Sequence, residues 1–184
     1  MAAAEATTEP EWLDRAEKMT AFAYKVASKN NWRIPEYYDE EWQPSLEAGK
    51  LCNDGRRYHE GYVTGHSMQL ARFALQVRAG LRSTGWAVPD YLMELGTELF
   101  ERARVDGWRR TDGAPGFSTA VNDQGNPVPG EDEHQQWVVC EGACATVAVR
   151  RAMLDDGHRI DEVEHFEHCY RSFVDYIHDY LIAQ

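Results

Sequence analysis

Two stretches of this chain are apolar around most of their circumference, and a helix of that kind has to be covered by other elements on most sides. Over residues 65–82, Leu70, Ala71, Phe73, Ala74, Leu75 and Val77 leave only a narrow polar stripe. That stripe is His66, Gln69, Arg72 and Gln76, at positions i, i+3, i+6 and i+10. Over residues 134–154, Val138, Val139, Cys140, Ala143, Val147, Ala148, Val149 and Leu154 surround Glu141, which follows Trp137 by one turn.

Trp12, Ala16, Met19, Phe22, Ala23 and Val26 recur at helical spacing between Glu11 and about Lys29, and Asn30 and Asn31 punctuate the end. Thr64 is placed to cap the helix at 65–82, and Pro89 and Asp90 to open another that runs to about Val105. The cleanest period lies at 161–182, through Val163, Phe166, Tyr170, Phe173, Val174, Ile177 and Leu181. Between these come two long connections, 32–61 and 106–133. In the second, GFSTAV and NPV flank Asn122–Gly125, the pattern of a short β-hairpin. The expected architecture is all-α: a tail over residues 1–10 expected to be disordered, then a single helical domain over 11–184.

Several classes of function are disfavoured at this level. The 184 residues carry a formal charge of −12, which repels phosphate backbones and anionic lipid headgroups, so neither nucleic acid nor membrane is an expected partner. MAAAEATTEPEW has neither the basic start nor the apolar run of a secretory signal, and no apolar stretch reaches the length of a membrane span. Cys52, Cys140, Cys144 and Cys169 include no C-x-x-C pair. Cys140 and Cys144 lie in an apolar stretch and are expected to be buried free thiols in a reduced, cytoplasmic protein. There is no G-x-G-x-x-G, no P-loop and no G-x-S-x-G elbow, and His59-Glu60 is followed by Val63 where a zincin needs its second His. His165, His168 and Cys169 have metal-ligand spacing, but they alternate with acidic residues and read as a solvated polar face rather than a metal site.

Chemistry therefore rests on the polar groups of the two apolar helices. A buried polar stripe either satisfies itself in the core or faces a water-filled pocket. An isolated carboxylate such as Glu141 must be paired, hydrogen-bonded or turned to a cavity. Trp137 and Glu141 on one helical edge suit a sugar, the indole stacking on its apolar face and the carboxylate accepting from hydroxyls. The competing reading keeps Trp137 in the core and pairs Glu141 with an arginine such as Arg72.

With the connections before them, these helices resemble the N-acylglucosamine 2-epimerase superfamily, which includes mannose isomerases and cellobiose 2-epimerases. The resemblance is carried by IPEYYDEEWQP (34–44), TGHSMQLAR (64–72), GWRRTDGAPGFSTAVNDQGNPV (107–128) and QWVVCEGACA (136–145), in the order and spacing of the later half of such enzymes. It implies part of an (α/α)6 barrel, a ring of helical hairpins whose inner helices line a sugar pocket. It also implies proton transfer at the carbon next to the carbonyl of an aldose such as mannose, through an enediol-like intermediate. By this resemblance His66 is the catalytic acid/base, and Gln69, Trp137 and Glu141 hold the substrate. Neither a metal nor another cofactor is called for.

The chain also departs from the family pattern. Gln69 and Leu70 stand where the family often has Glu and Trp, and glutamine can hydrogen-bond a hydroxyl but cannot act as a base. Gln136 stands where an aromatic often precedes the Trp. Five helices make less than half of a twelve-helix ring, so the opposite pocket wall and a second catalytic histidine are expected from outside these 184 residues. That leaves a second reading: a non-catalytic carbohydrate-binding or assembly module, or an inactive fragment of such an enzyme. An exposed inner face would favour pairing with a second copy or with a separate N-terminal half.

Overall fold

The computed structural model describes residues 10–43, 61–109, 115–129 and 135–182. Five α-helices carry the described fold: α1 (Pro10–Ala27), α2 (Thr64–Ser83), α3 (Tyr91–Gly107), α4 (Gln136–Asp155) and α5 (Glu164–Tyr176). A 3-10 turn, Asp161–Val163, leads into α5, and a π-helical turn, Ile177–Ile182, continues it, so the expected helix at 161–182 exists in three geometries. The expected tail lies outside the described residues apart from Pro10. That residue starts α1, where its fixed φ and missing N–H cost nothing.

The two mostly apolar helices take the central places. α2 packs most extensively on α3 and then on α4, α4 packs in turn on α5, and α1 covers α2 and α3. Met68, Leu75 and Leu81 of α2 are buried with Leu92, Leu95, Leu99 and Phe100 of α3. Val138, Val139 and Val149 of α4 join them, with Phe166 and Phe173 of α5 and Val163 of the 3-10 turn before it. Full burial of side chains of this size is worth about 1.5–3 kcal/mol each, so these contacts hold the helices in register.

Among the described residues, four two-residue strands stitch the helix ends together. β1 (Tyr62–Val63) runs directly into α2 and pairs antiparallel with β4 (Ala120–Val121), in the register Tyr62↔Val121 and Val63↔Ala120. β2 (Trp108–Arg109) follows α3 and pairs antiparallel with β3 (Gly116–Phe117). The expected hairpin forms across Val121↔Pro127. Its turn is held by Asn122 Oδ1, which accepts from the backbone N–H groups of Gln124 and Asn126, each at 3.0 Å. Gly125 sits there at φ +77°, a conformation that glycine adopts without penalty.

Two expectations about local structure are corrected. Thr64 is the first residue of α2 rather than its cap. Its hydroxyl donates across to the carbonyl of Ser118 at 2.7 Å, which ties the start of α2 to the β-elements instead of to its own first turn. In α5, Cys169 does not share the polar face of His165 and His168. It is buried, because it falls on one stripe with Phe166, Phe173 and Tyr176 at i−3, i+4 and i+7. Among the described residues no group of three His, Cys, Asp or Glu side chains is arranged to hold a metal.

Candidate active site

α2 and α4 pack side by side and leave one side open. On α2 that side carries His66, Gln69, Arg72 and the exposed Phe73. On α4 it carries Trp137, Cys140, Glu141, Cys144 and the exposed Val147. Cys140 and Cys144, expected to be buried, are exposed: α4 packs on α2, α5 and α3, and both thiols lie at positions that the described contacts leave uncovered. Partial burial pushes the Cys140 thiol above its ordinary pKa, with Cys144 and Glu141 adding to the effect, so it stays protonated at neutral pH.

At one end of the open face, the rings of His66 and Trp137 lie with centroids 5.3 Å apart and tilted by 40°. The indole reaches this position because residue 65 is glycine; a Cβ there would overlap the six-membered ring of Trp137. The glycine before His66 is thus the seat of the tryptophan. The indole N–H donates to Gln135 Oε1 at 2.6 Å, which fixes the plane of the ring. Such a half-covered aromatic plane beside an imidazole is the surface on which the apolar face of a pyranose can stack.

One to two turns along, Gln69 Nε2 donates to Glu141 Oε1 at 3.2 Å, and Arg72 holds the same carboxylate bidentately. The Arg72 and Glu141 side chains retain 22% and 19% of their exposure, so the pair is neither sealed nor free. Both readings of the sequence thus meet here. Glu141 does pair with Arg72, and the pair borders the open face rather than the core.

Sequence reading missed Glu36. This residue lies in the connection after α1, and its Oε2 sits 2.8 Å from His66 Nδ1 while its Oε1 accepts from the backbone N–H of Val63 at 3.3 Å. The hydrogen bond that Glu36 accepts from the ring raises the His66 pKa above its ordinary value, partial burial opposes the rise, and the negative charge of Glu36 adds to it. His66 itself remains 49% exposed. No local signal in the sequence links two residues thirty positions apart across an irregular connection.

The segment carrying Glu36 is anchored from behind. Arg33, itself buried, donates through Nε to Asp106 Oδ2 at 2.7 Å, through Nη2 to Asp106 Oδ1 at 3.1 Å and through Nη1 to the carbonyl of Asp123 at 2.9 Å. Asp106 is also buried and takes a second arginine, Arg102, at 2.8 Å. One ion cluster therefore joins the end of α3, the hairpin turn and the connection before β1.

The other histidines of the described residues lie elsewhere. His165 pairs with Glu101 at 2.8 Å and His178 with Asp179 at 2.9 Å, while His158 lies 3.3 Å from Glu162. His168 is exposed, and His59 and His134 fall outside the described residues. An open groove of about 420 Å³ lined by Asp14, Glu17, Leu81, Trp86, Ala87 and Pro89 lies at the far end of α2 and takes no part in this site.

Helices packed in pairs, with an imidazole, an indole and a carboxylate–guanidinium pair gathered on the open side of α2 and α4, define a partial (α/α) barrel. Residues 1–184 match the family N-acylglucosamine 2-epimerase (GlcNAc 2-epimerase), and the chain belongs to that family. It is 33% identical to a D-mannose isomerase of Pseudomonas cannabina pv. alisalensis over 151 residues, which cover 81% of this chain and 36% of that protein. It is 29% identical to a D-mannose isomerase of Thermobifida fusca over 185 aligned positions, 99% of this chain and 41% of that protein. A crystal structure of D-mannose isomerase superimposes with a TM-score of 0.73 at 18% identity, covering 95% of this chain and 38% of the other. The fold is thus a partial (α/α)6 barrel, and the chain spans about two fifths of the length of these relatives.

Proposed function

We propose that this chain carries the proton-transfer wall of a sugar isomerase or 2-epimerase acting on a neutral aldose such as mannose. His66 is the acid/base: its free ring nitrogen removes the proton at the carbon next to the carbonyl and returns it to a neighbouring position of the enediol-like intermediate. Trp137 supports the sugar ring, and Gln69 with the Arg72-held Glu141 orients its hydroxyls. The observation that carries this reading is the half-exposed His66 ring lying 5.3 Å from the Trp137 ring on the face that also bears Glu141. The D-mannose isomerases among the relatives support the substrate class.

The test is deuterium exchange at C2 of mannose, followed by NMR together with mannose–fructose exchange, for the protein and for His66→Ala. The reading expects exchange that disappears in the variant while helical content stays unchanged. Exchange that survives the substitution overturns it.

A second reading, a carbohydrate-binding or assembly module, is favoured by the bidentate neutralisation of Glu141 and by the span of two fifths of the relatives. It expects sugar binding without turnover. In either case the open face with Phe73 and Val147 is apolar enough to favour a second copy or a separate helical half as cover, and light scattering distinguishes a monomer from an assembly. Cytoplasmic residence belongs to the same proposal. Among the described residues no helix is long and apolar enough to cross a membrane.

A further inference from the structure

His66 is neutral in the form that can accept a proton, and a neutral imidazole carries its one N–H on either nitrogen. Only the tautomer with Nδ1–H leaves the Nε2 lone pair free for chemistry on the open face. We propose that Glu36 is the positioning residue of His66: its carboxylate accepts the Nδ1–H and dedicates Nε2 to the substrate, and the Arg33–Asp106 ion pair holds Glu36 in place. This inference rests on the acid/base reading of His66 but concerns a residue and a device outside it.

Three observations carry it. First, the carboxylate is fixed at both oxygens, by the His66 ring at 2.8 Å and by the Val63 N–H at 3.3 Å, so its position follows the strand that leads into α2. Second, Glu36 keeps only 13% of its side-chain exposure while the ring it holds is half exposed, as expected when the partner sits behind the ring and the working nitrogen in front. Third, the chain reaches Glu36 three residues after Arg33. Arg33 is pinned by two bonds to Asp106 and one to the Asp123 carbonyl, and its own carbonyl accepts from Asn30 Nδ2 at 3.0 Å. A bidentate, buried pair of this kind tolerates little displacement.

Among the described residues, the charged groups around His66 are few. Glu36 is the one that raises the protonation midpoint of the ring, α4 offers it the uncharged Trp137, and further along α2 the charge of Arg72 is cancelled by Glu141.

The test uses the full chain, labelled with ¹⁵N-histidine, in three forms: wild type, Glu36→Gln and Glu36→Ala, with His66→Ala to assign the resonance. Ring ¹⁵N shifts report the tautomer and the titration midpoint without any substrate. Wild type is expected in the Nδ1–H form. Glu36→Gln is expected to keep that tautomer but to titrate at lower pH, and Glu36→Ala to lose both. Where mannose turnover is present, Glu36→Ala lowers kcat by about 10- to 100-fold with KM within about twofold, and Glu36→Gln restores part of kcat and extends activity to lower pH. Asp106→Asn, which leaves Glu36 itself untouched, is expected to broaden or shift the same ring signals. An unchanged tautomer and midpoint in both Glu36 variants overturns the proposal. Shifted ring signals in a protein that never exchanges mannose C2 deuterium uphold the positioning role and refute the isomerase reading instead.

Discussion

Arg72 holds Glu141 from the side: its Nε lies 3.0 Å from Oε2, and its Nη2 lies 2.8 Å from the same oxygen and 3.1 Å from Oε1. A carboxylate so engaged is a well-oriented hydrogen-bond acceptor. The geometry therefore separates the roles on the open face. His66 presents a half-exposed ring, and Glu141 presents a carboxylate fixed by Arg72.

Glu141→Gln keeps the shape of the side chain but strands the Arg72 charge. We expect kcat/KM for the sugar to fall about tenfold, equivalent to about 1.4 kcal/mol, and mostly through KM. Stability should fall by about 1 kcal/mol, since the pair is only partly buried. Steady-state kinetics and urea titration check the two parts. A fall confined to kcat would instead make Glu141 part of the proton transfer.

Gly65→Ala should be harmful although alanine is the better helix former by about 1 kcal/mol. The added methyl occupies the seat of the Trp137 ring, and overpacking of this kind costs about 1–3 kcal/mol. Sugar affinity, measured by calorimetry, should drop as it does in Trp137→Ala. A Gly65→Ala protein that binds normally and melts higher would show that the indole does not rest there.

Asp106→Ala leaves two arginines, Arg33 and Arg102, without their shared carboxylate. Removing one partner of a buried pair costs about 3–5 kcal/mol. The midpoint of denaturant unfolding should move accordingly, by far more than in Arg15→Ala, whose partner Glu11 is on the exposed side of α1. Equal shifts for the two would refute the anchoring role of the cluster.

Two groups set opposite pH limits on stability. Burial alone would raise the pKa of Asp156, but hydrogen bonds from Arg78 and Arg82 outweigh it and hold the carboxyl below its ordinary value of 3.8. Its contribution is therefore present above that value and is lost as pH falls through the lower folded value; Asp156→Asn should flatten the acid limb of a stability–pH curve. His66 behaves in the reverse sense. Its folded pKa lies above the ordinary 6.5, so its pairing with Glu36 stabilises fully below 6.5 and fades as pH rises through the folded value. The stability gap between wild type and Glu36→Gln should accordingly narrow from pH 6 towards pH 8.

The helices were legible because burial imposes a period: Phe166 and Phe173 are on the inner stripe of α5, and Met68 and Leu75 on that of α2. The hairpin was legible from Asn122 and Gly125, whose turn chemistry is local. His66, Gln69, Trp137 and Glu141 came from the helical stripes together with the family resemblance, and the structure puts them on one open side. Period alone misleads at Cys140 and Cys144, because an apolar stretch does not tell whether neighbours cover every side of its helix. Glu36 falls inside IPEYYDEEWQP, one of the stretches that carry the resemblance, but neither its contact with His66 nor the Arg33–Asp106 pair was legible. Their contacts join residues 30 and 73 positions apart, and neither partner breaks any local pattern.

The wide separations of these bonds also bear on how the site comes into being. Arg33 closes over 90 residues to the Asp123 carbonyl, and Gln69 over 72 to Glu141, so each can form only after the intervening helices have docked. Closing loops of that length carries an entropic cost, so we expect these contacts to form late in the folding of the chain. A partly folded form would keep its helices and lose its arranged histidine. The state of the His66 ring is thus a reporter of complete assembly that helical content cannot replace.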